Sequence, residues 1–295
     1  MLDLSHIPSQ QQSTFTFYAN SGSWQTFVKP RNAKFIEIFC LGGGGGGGHC
    51  TISAAGSAGA GGGASSGIVR GIISAFLLPN TLYIQVGKGG AGGKGSGLGG
   101  SNGEISYVAL QPSSSEQTLI CKSSTTAAQG GLASGTAGSA GSISVPALSA
   151  FGNLGLFTAI AGVNGSNGGT SAPTNGSSQA ALGTNLTTGG VGGGGKTAAS
   201  FGTGGNITAA SAILTNQVNG GQGDAAAGNS GYGTLIPFCG TGGGGGAAKV
   251  GATGAGGRGG NGYYGCGGGG GGGASATGGF GGDGGDGLVI ITVIT

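Results

Sequence analysis

Residues 278–294 read Gly-Gly-Phe-Gly-Gly-Asp-Gly-Gly-Asp-Gly-Leu-Val-Ile-Ile-Thr-Val-Ile. Two periodicities meet at Gly287. Upstream, glycine recurs in triplets with one variable position. Downstream, Leu288–Ile294 is apolar and β-branched with a single threonine, the composition of a buried strand. Such a strand left unpaired would template aggregation. The other strand signals lie near the start of the chain, so the sequence predicts that the two ends pair. The long stretch between them is then an insertion whose ends lie together.

Those other signals are Thr14–Tyr18, Trp24–Lys29 (closed by Pro30), Lys34–Cys40, Gly67–Ile73, Thr81–Val86, Glu104–Leu110 and Thr118–Lys122. Lys34–Cys40 is apolar almost throughout and is expected to be buried on both faces. No segment carries a helical period. The expected fold is all-β: a jelly-roll-like β-sandwich scaffold from residues 14–122 and 286–295. Residues 1–13 read as a flexible or docking arm, and residues 123–285 as the glycine-rich insertion.

The triplets recur at 56–64, 87–95, 189–197 and 251–262, each holding phase for about three turns before it slips. Two readings fit. One is a flexible glycine-rich linker. The other is a bundle of polyglycine-II helices, with about three residues per turn and about 3.1 Å rise per residue. Helices of that kind have no internal hydrogen bonds, so their amides must find partners on neighbours. Runs of similar length that keep phase favour the bundle. They alternate with segments carrying Phe201, Tyr232, Phe238, Tyr263 and Tyr264, a punctuation no linker needs.

Composition removes several classes of function. Glycine fills 81 of 295 positions, charged residues make up 6%, and the net charge is +3. The few Lys and Arg residues are scattered singly, which argues against a nucleic-acid partner. No run of 18 apolar residues exists to insert into a membrane as a helix. Seven prolines and a slipping phase exclude a continuous collagen-type helix. Two His and seven carboxylates leave little from which to build catalysis, so the chain is expected to be no enzyme and to need no cofactor or metal. Its N-terminus carries neither a basic region nor a continuous apolar run, so no secretory signal is expected. Five cysteines leave an odd thiol, which fits buried free thiols made in a reducing compartment.

Four motifs have a sharp and a bland reading. Gly190 followed by Gly195-Lys196-Thr197 has the spacing of a phosphate-binding loop, but no strand precedes it and no helix pattern follows, so chance is preferred. Cys40, His49 and Cys50 could ligate zinc, yet lack the paired cysteine spacing of structural sites. Asp283 and Asp286 resemble one copy of a calcium-binding glycine–aspartate repeat, with capping of an exposed helix face as the simpler role. The aromatics Phe201, Tyr232, Phe238, Tyr263 and Tyr264 are candidate receptor-binding residues on loops between rigid rods. Alternatively they plug the ends of a bundle that has few other side chains to bury.

The opening Ser21-Gly22-Ser23-Trp24-Gln25-Thr26-Phe27-Val28-Lys29-Pro30, then Phe35–Leu41 running into Gly42–Gly48, resembles that of glycine-rich domains in phage and virus proteins. The likeness continues through Thr81-Leu82-Tyr83-Ile84-Gln85-Val86-Gly87 and ends at Gly285–Ile291, so it frames nearly the whole chain. It is similar also to the glycine-rich extracellular domain of the anaplastic lymphoma kinase family, where a β-sandwich carries polyglycine-II helices. The tip adhesins of some T-even phage long tail fibres likewise use a polyglycine-II sandwich with receptor-binding loops. Two departures stand out. The kinase family is secreted and disulfide-bonded, and the phage adhesins carry an attachment domain for which residues 1–13 are too short.

The resemblance implies a structural protein of the virion, assembled in the host cytoplasm, in a fibre, spike or tail tip that binds a host-surface receptor, protein or glycan. Its expected partners are other virion proteins, reached through the N-terminal arm and the β-scaffold. A homotrimer would add avidity. The alternatives are a virion cement or minor capsid protein and, from a different class, an extracellular-matrix or filament protein.

Overall fold

Short apolar alternations between glycine runs become strands. The computed structural model describes residues 12–20, 22–133, 154–180, 186–208, 217–233 and 240–295. Its strands are Gln12–Tyr18 (β1), Gln25–Val28 (β2), Phe35–Leu41 (β3), Gly56–Ser57 (β4), Ile68–Ser74 (β5), Thr81–Gln85 (β6), Tyr107–Ala109 (β7), Leu119–Lys122 (β8), Gly155–Ile160 (β9), Gln179–Ala180 (β10), Lys196–Thr197 (β11), Ile207–Thr208 (β12) and Leu288–Ile294 (β13). The chain is all-β and sandwich-like. One antiparallel sheet has the order β1-β13-β3-β5-β9 and a second the order β2-β6-β7-β8. The C-terminal strand lies between β1 and β3, the pairing of chain ends that its composition demands.

Period-two side chains form the core between the sheets. Ile36, Ile38 and Cys40 of β3, Val69 and Ile73 of β5, and Val289, Ile291 and Val293 of β13 face Phe27, Leu82, Ile84, Val108, Ile120 and Cys121 of the other sheet. Each large aliphatic so buried contributes about 1.5–3 kcal/mol. Burial on both faces of residues 34–40, as expected from their composition, is not what forms. The outer face of β3 shows Phe35 at 47% exposure and Glu37 paired with Arg70 of β5. Only the end of that face next to the glycine runs is covered, where Leu41, Ile68, Leu288 and Ile290 pack with Tyr264.

The glycine runs are ordered by backbone hydrogen bonds. In residues 42–50, Gly43, Gly46 and His49 donate to the carbonyls of Glu104, Ser101 and Leu98. Gly44, Gly47 and Cys50 donate to Gly285, Gly282 and Gly279, and Gly45 and Gly48 to Ala64 and Gly61. The carbonyls of Gly44 and Gly47 accept from Gly90 and Gly93, those of Gly45 and Gly48 from Gly268 and Gly271, and that of Gly46 from Gly131. Successive residues address different neighbours and every third returns to the same one, the three-fold period of polyglycine II. The run is enclosed hexagonally, and residues 266–273 are enclosed the same way. A Cβ at Gly45, Gly47 or Gly270 would come closer than 3.0 Å to a carbonyl of the adjacent run. It is this close approach of backbones that requires glycine there.

The two layers do not follow the expected boundaries. Residues 12 and 13, assigned to the arm, already belong to β1, and residues 1–11 lie outside the described residues. Within 123–285, β9 pairs with β5, and Gly71 leaves the space that the Phe157 ring opposite it occupies. Runs 42–50, 59–66 and 87–104, placed by sequence in the scaffold, interleave with runs from 123–285.

Candidate functional site: the distal tip of the glycine bundle

Run direction decides where the connecting turns emerge. Residues 42–50, 87–93, 189–195, 243–249 and 266–273 lead away from the sandwich. Residues 59–66, 98–104, 202–206, 256–262 and 279–287 return, as the antiparallel pairings Gly43–Glu104 with Gly46–Ser101, and Gly257–Ala247 with Gly260–Gly244, require. The turns at 51–56, 94–97, 196–201, 249–255 and 274–278 therefore gather at one end of the bundle. The sandwich occupies the other.

Polar side chains close the perimeter of the bundle, where an outer run has no further run to accept its amides. Asp283 accepts the Gly92 N–H and Asp286 that of Gly89, both at 2.8 Å. Their spacing of three equals one helical turn, so both meet the same neighbour. Asn102 accepts from Gly130 at 3.0 Å, Asn206 from Gly220 at 2.7 Å and Asn261 from Asp283 at 3.0 Å. Asp224 accepts from Val250 at 2.8 Å. The Lys249 ammonium, together with that amide, holds the Asp224 carboxyl below its ordinary value. The glycine–aspartate repeat is thus engaged in capping.

At the tip, His49 is buried, with Nδ1 2.6 Å from the Cys50 carbonyl and its ring 5.4 Å from that of Phe280. The ends of the neighbouring runs bring exposed apolar side chains beside it: Leu98 at 59%, Leu132 at 49% and Phe280 at 43%. Leu98 accepts the His49 N–H through its carbonyl, and the Leu132 side chain lies against Gly99. The result is an apolar rim set on a rigid frame. Sequence reasoning passed over these residues. Each is the lone large apolar residue within a glycine run, but nothing in a glycine run specifies which other run will lie beside it.

The structure separates the aromatic candidates. Tyr232 packs on Val191, Ile207 and Val218, and its backbone exchanges hydrogen bonds with Thr241. Tyr263 donates its N–H to the Thr241 carbonyl, and its ring covers Gly233 and Gly240. Tyr264 lies edge-on to Tyr263 at 4.9 Å and 6.4 Å from Tyr18, and packs on the outer face of β13. Burial raises its hydroxyl above the ordinary tyrosine value, with Tyr18 adding to the shift. Tyr264 thus reaches the sandwich, while Tyr232 and Tyr263 pack among residues of the bundle. Half-buried Phe201 stands at the end of the bundle remote from the sandwich, in a bridge with Lys196. Phe238 lies outside the described residues.

The remaining motifs have structural places. Lys196 is fully buried and donates Nζ to the Ser275 hydroxyl, while Lys196–Thr197 forms β11 against β4 rather than opening a helix. Cys40 sits in the sandwich core, where burial pushes its thiol up, and the run 42–48 separates it from His49 and Cys50 at the tip. Cys40, Cys50, Cys121 and Cys266 are buried, and Cys239 lies outside the described residues. Among the described residues, no group of three or more His, Cys, Asp or Glu is placed to hold a metal ion, and no helix is long and apolar enough to cross a membrane.

No curated protein matches the chain. A family defined as a glycine-rich domain does, over residues 19–293, from the turn before Trp24 into the C-terminal strand. The bundle and the sandwich apart from β1 and the last residue of β13 fall within that one match, and the chain belongs to the glycine-rich domain family.

Proposed function

We propose that this chain is a structural protein of a virion, a fibre, spike or tail-tip component, that attaches without covalent chemistry to a receptor on the host surface. The observation that carries this reading is the polarity of the molecule. Connecting turns gather at one end of a frame locked by its own backbone, and the paired chain ends emerge from the sandwich at the other. A rigid frame reduces the entropy lost on binding. Exposed apolar and aromatic side chains on turns are the usual source of contact energy. Leu98, Leu132 and Phe280 supply them here, with half-buried Phe201 at the same end. Tyr264 instead joins the two layers in this reading, with Tyr263 edge-on to it and Tyr232 packed within the bundle. The partners at the sandwich end are other virion proteins.

The test is adsorption of particles carrying Leu98→Ser, Leu132→Ser and Phe280→Ser together. Assembly at wild-type yield with adsorption reduced at least tenfold is the expected result. Unchanged adsorption by fragile or poorly formed particles would favour the cement role. A protein absent from every particle would remove the virion reading.

A further inference from the structure

At the end of the sandwich remote from the glycine bundle, the β2–β3 connection and the short turn after β5 enclose an open cavity of about 610 Å3. Lys29, Arg31 and Lys34 line it together with Phe35, Phe76 and Asn80, and among the described residues no acidic side chain does. In a chain whose net charge is +3 from ten basic residues, three cations on one cavity are a concentrated charge. The ion pairs seen among the described residues use Arg70, Lys122, Lys249 and Arg258, and none reaches this site. Lys29 also builds the wall: its ammonium donates to the carbonyls of Ala75 and Leu78 and so fixes the 3-10 turn Ala75–Leu77. That turn holds Phe76 out at 92% exposure, with Phe35 half-exposed on the same cavity.

We propose that this cavity is a docking site for an acidic, apolar segment of a partner polypeptide. Its carboxylates would meet Arg31 and Lys34, and an apolar side chain would cover Phe76 and Phe35. Arginine suits a carboxylate because its planar fork can donate two parallel hydrogen bonds. A fixed ring that loses its water on docking adds apolar contact energy that a purely ionic site lacks. Three cations around one concavity do not make the extended basic stripe that tracks a nucleic-acid backbone. The volume suits a few side chains. The site lies where β1 begins and β13 ends, since Gln12 pairs with Ile294 and Ile294 with Phe35. It therefore occupies the face opposite the tip. The inference stands on the cavity itself and does not require the attachment reading.

The test uses the full chain and the peptide acetyl-Glu-Phe-Asp-Leu-Glu-amide, with acetyl-Gln-Phe-Asn-Leu-Gln-amide as the uncharged counterpart, titrated by calorimetry and by amide chemical shifts. The acidic peptide is expected to bind at least tenfold tighter than its counterpart and to weaken as salt is raised. Arg31→Glu with Lys34→Glu should reduce binding at least tenfold, and Phe76→Ser at least fivefold, with thermal midpoints unchanged because these side chains are exposed. Equal affinity for the two peptides, binding unaffected by the variants, or no binding at millimolar peptide would overturn the proposal. So would loss of binding to anionic vesicles or to a single-stranded oligonucleotide in the same variants when the peptide does not bind. Peptide binding together with adsorption that survives the tip substitutions would leave this site standing and the attachment reading refuted.

Discussion

At Gly45 a single added methyl would be driven into the carbonyl of Gln129, with neighbouring runs closed around it. Overpacking costs about 1–3 kcal/mol where side chains can yield. Here the obstacle is backbone held by its own hydrogen bonds, so Gly45→Ala is expected to cost at least about 3 kcal/mol. For a chain of this size that lowers the melting temperature by roughly 5 °C or more. Gly97 is the contrast. Nothing lies within 4 Å of its Cβ position, and glycine serves there for its φ of +74°. Gly97→Ala should therefore cost only about 1–2 kcal/mol of local strain. Thermal unfolding of the two variants side by side decides the matter; a larger loss at Gly97 would contradict the close-packed account.

Among elements, the outer runs depend on side-chain caps. Asp283→Ala leaves the Gly92 amide without its acceptor and is expected to cost about 0.5–1.5 kcal/mol. Asp283→Asn keeps an oxygen at that point and should recover most of the loss. If Asn proves as harmful as Ala in denaturant titration, the ion pair with Arg258 matters and the cap does not. The Gly-Gly-Asp phase made this cap legible in the sequence, as the run of β-branched residues did for β13. Strand β9 was not legible, because Gly155–Ile160 opens on a glycine and is a short apolar stretch set within a long run of glycine, serine, alanine and asparagine. Its reason appears only across the sheet, where Phe157 fills the space left by Gly71. The tip rim was hidden for a related cause. Leu98, Leu132 and Phe280 stand on separate runs, and a glycine run has no side chains to declare its neighbour. The tyrosines announced themselves by size, but size alone does not say whether a ring faces solvent or closes a junction.

Taken whole, the molecule combines a side-chain core and a backbone core, and they differ in how they open. Ordering a residue costs about 1–2 kcal/mol of backbone entropy, while each hydrogen bond returns about 0.5–1.5 kcal/mol. An isolated run therefore does not persist, and enclosure on all sides sustains it. Hydrogen exchange should rank the amides accordingly. Gly44–Gly48 and Gly267–Gly272 should be as slow as β3 and β13, and the turn at 249–255 should be fast. Faster exchange in the enclosed runs than in β1, an edge strand, would show the bundle opening independently of the sandwich. Because each run meets its neighbours once per turn, its length behaves like a reading frame. Deleting three residues removes one turn, about 9 Å, and restores every later amide to its former direction. Deleting one or two rotates the remainder by a third or two-thirds of a turn and misaddresses all of it. The turns at the tip carry no such phase, so their length can change residue by residue while the frame beneath them changes only in threes.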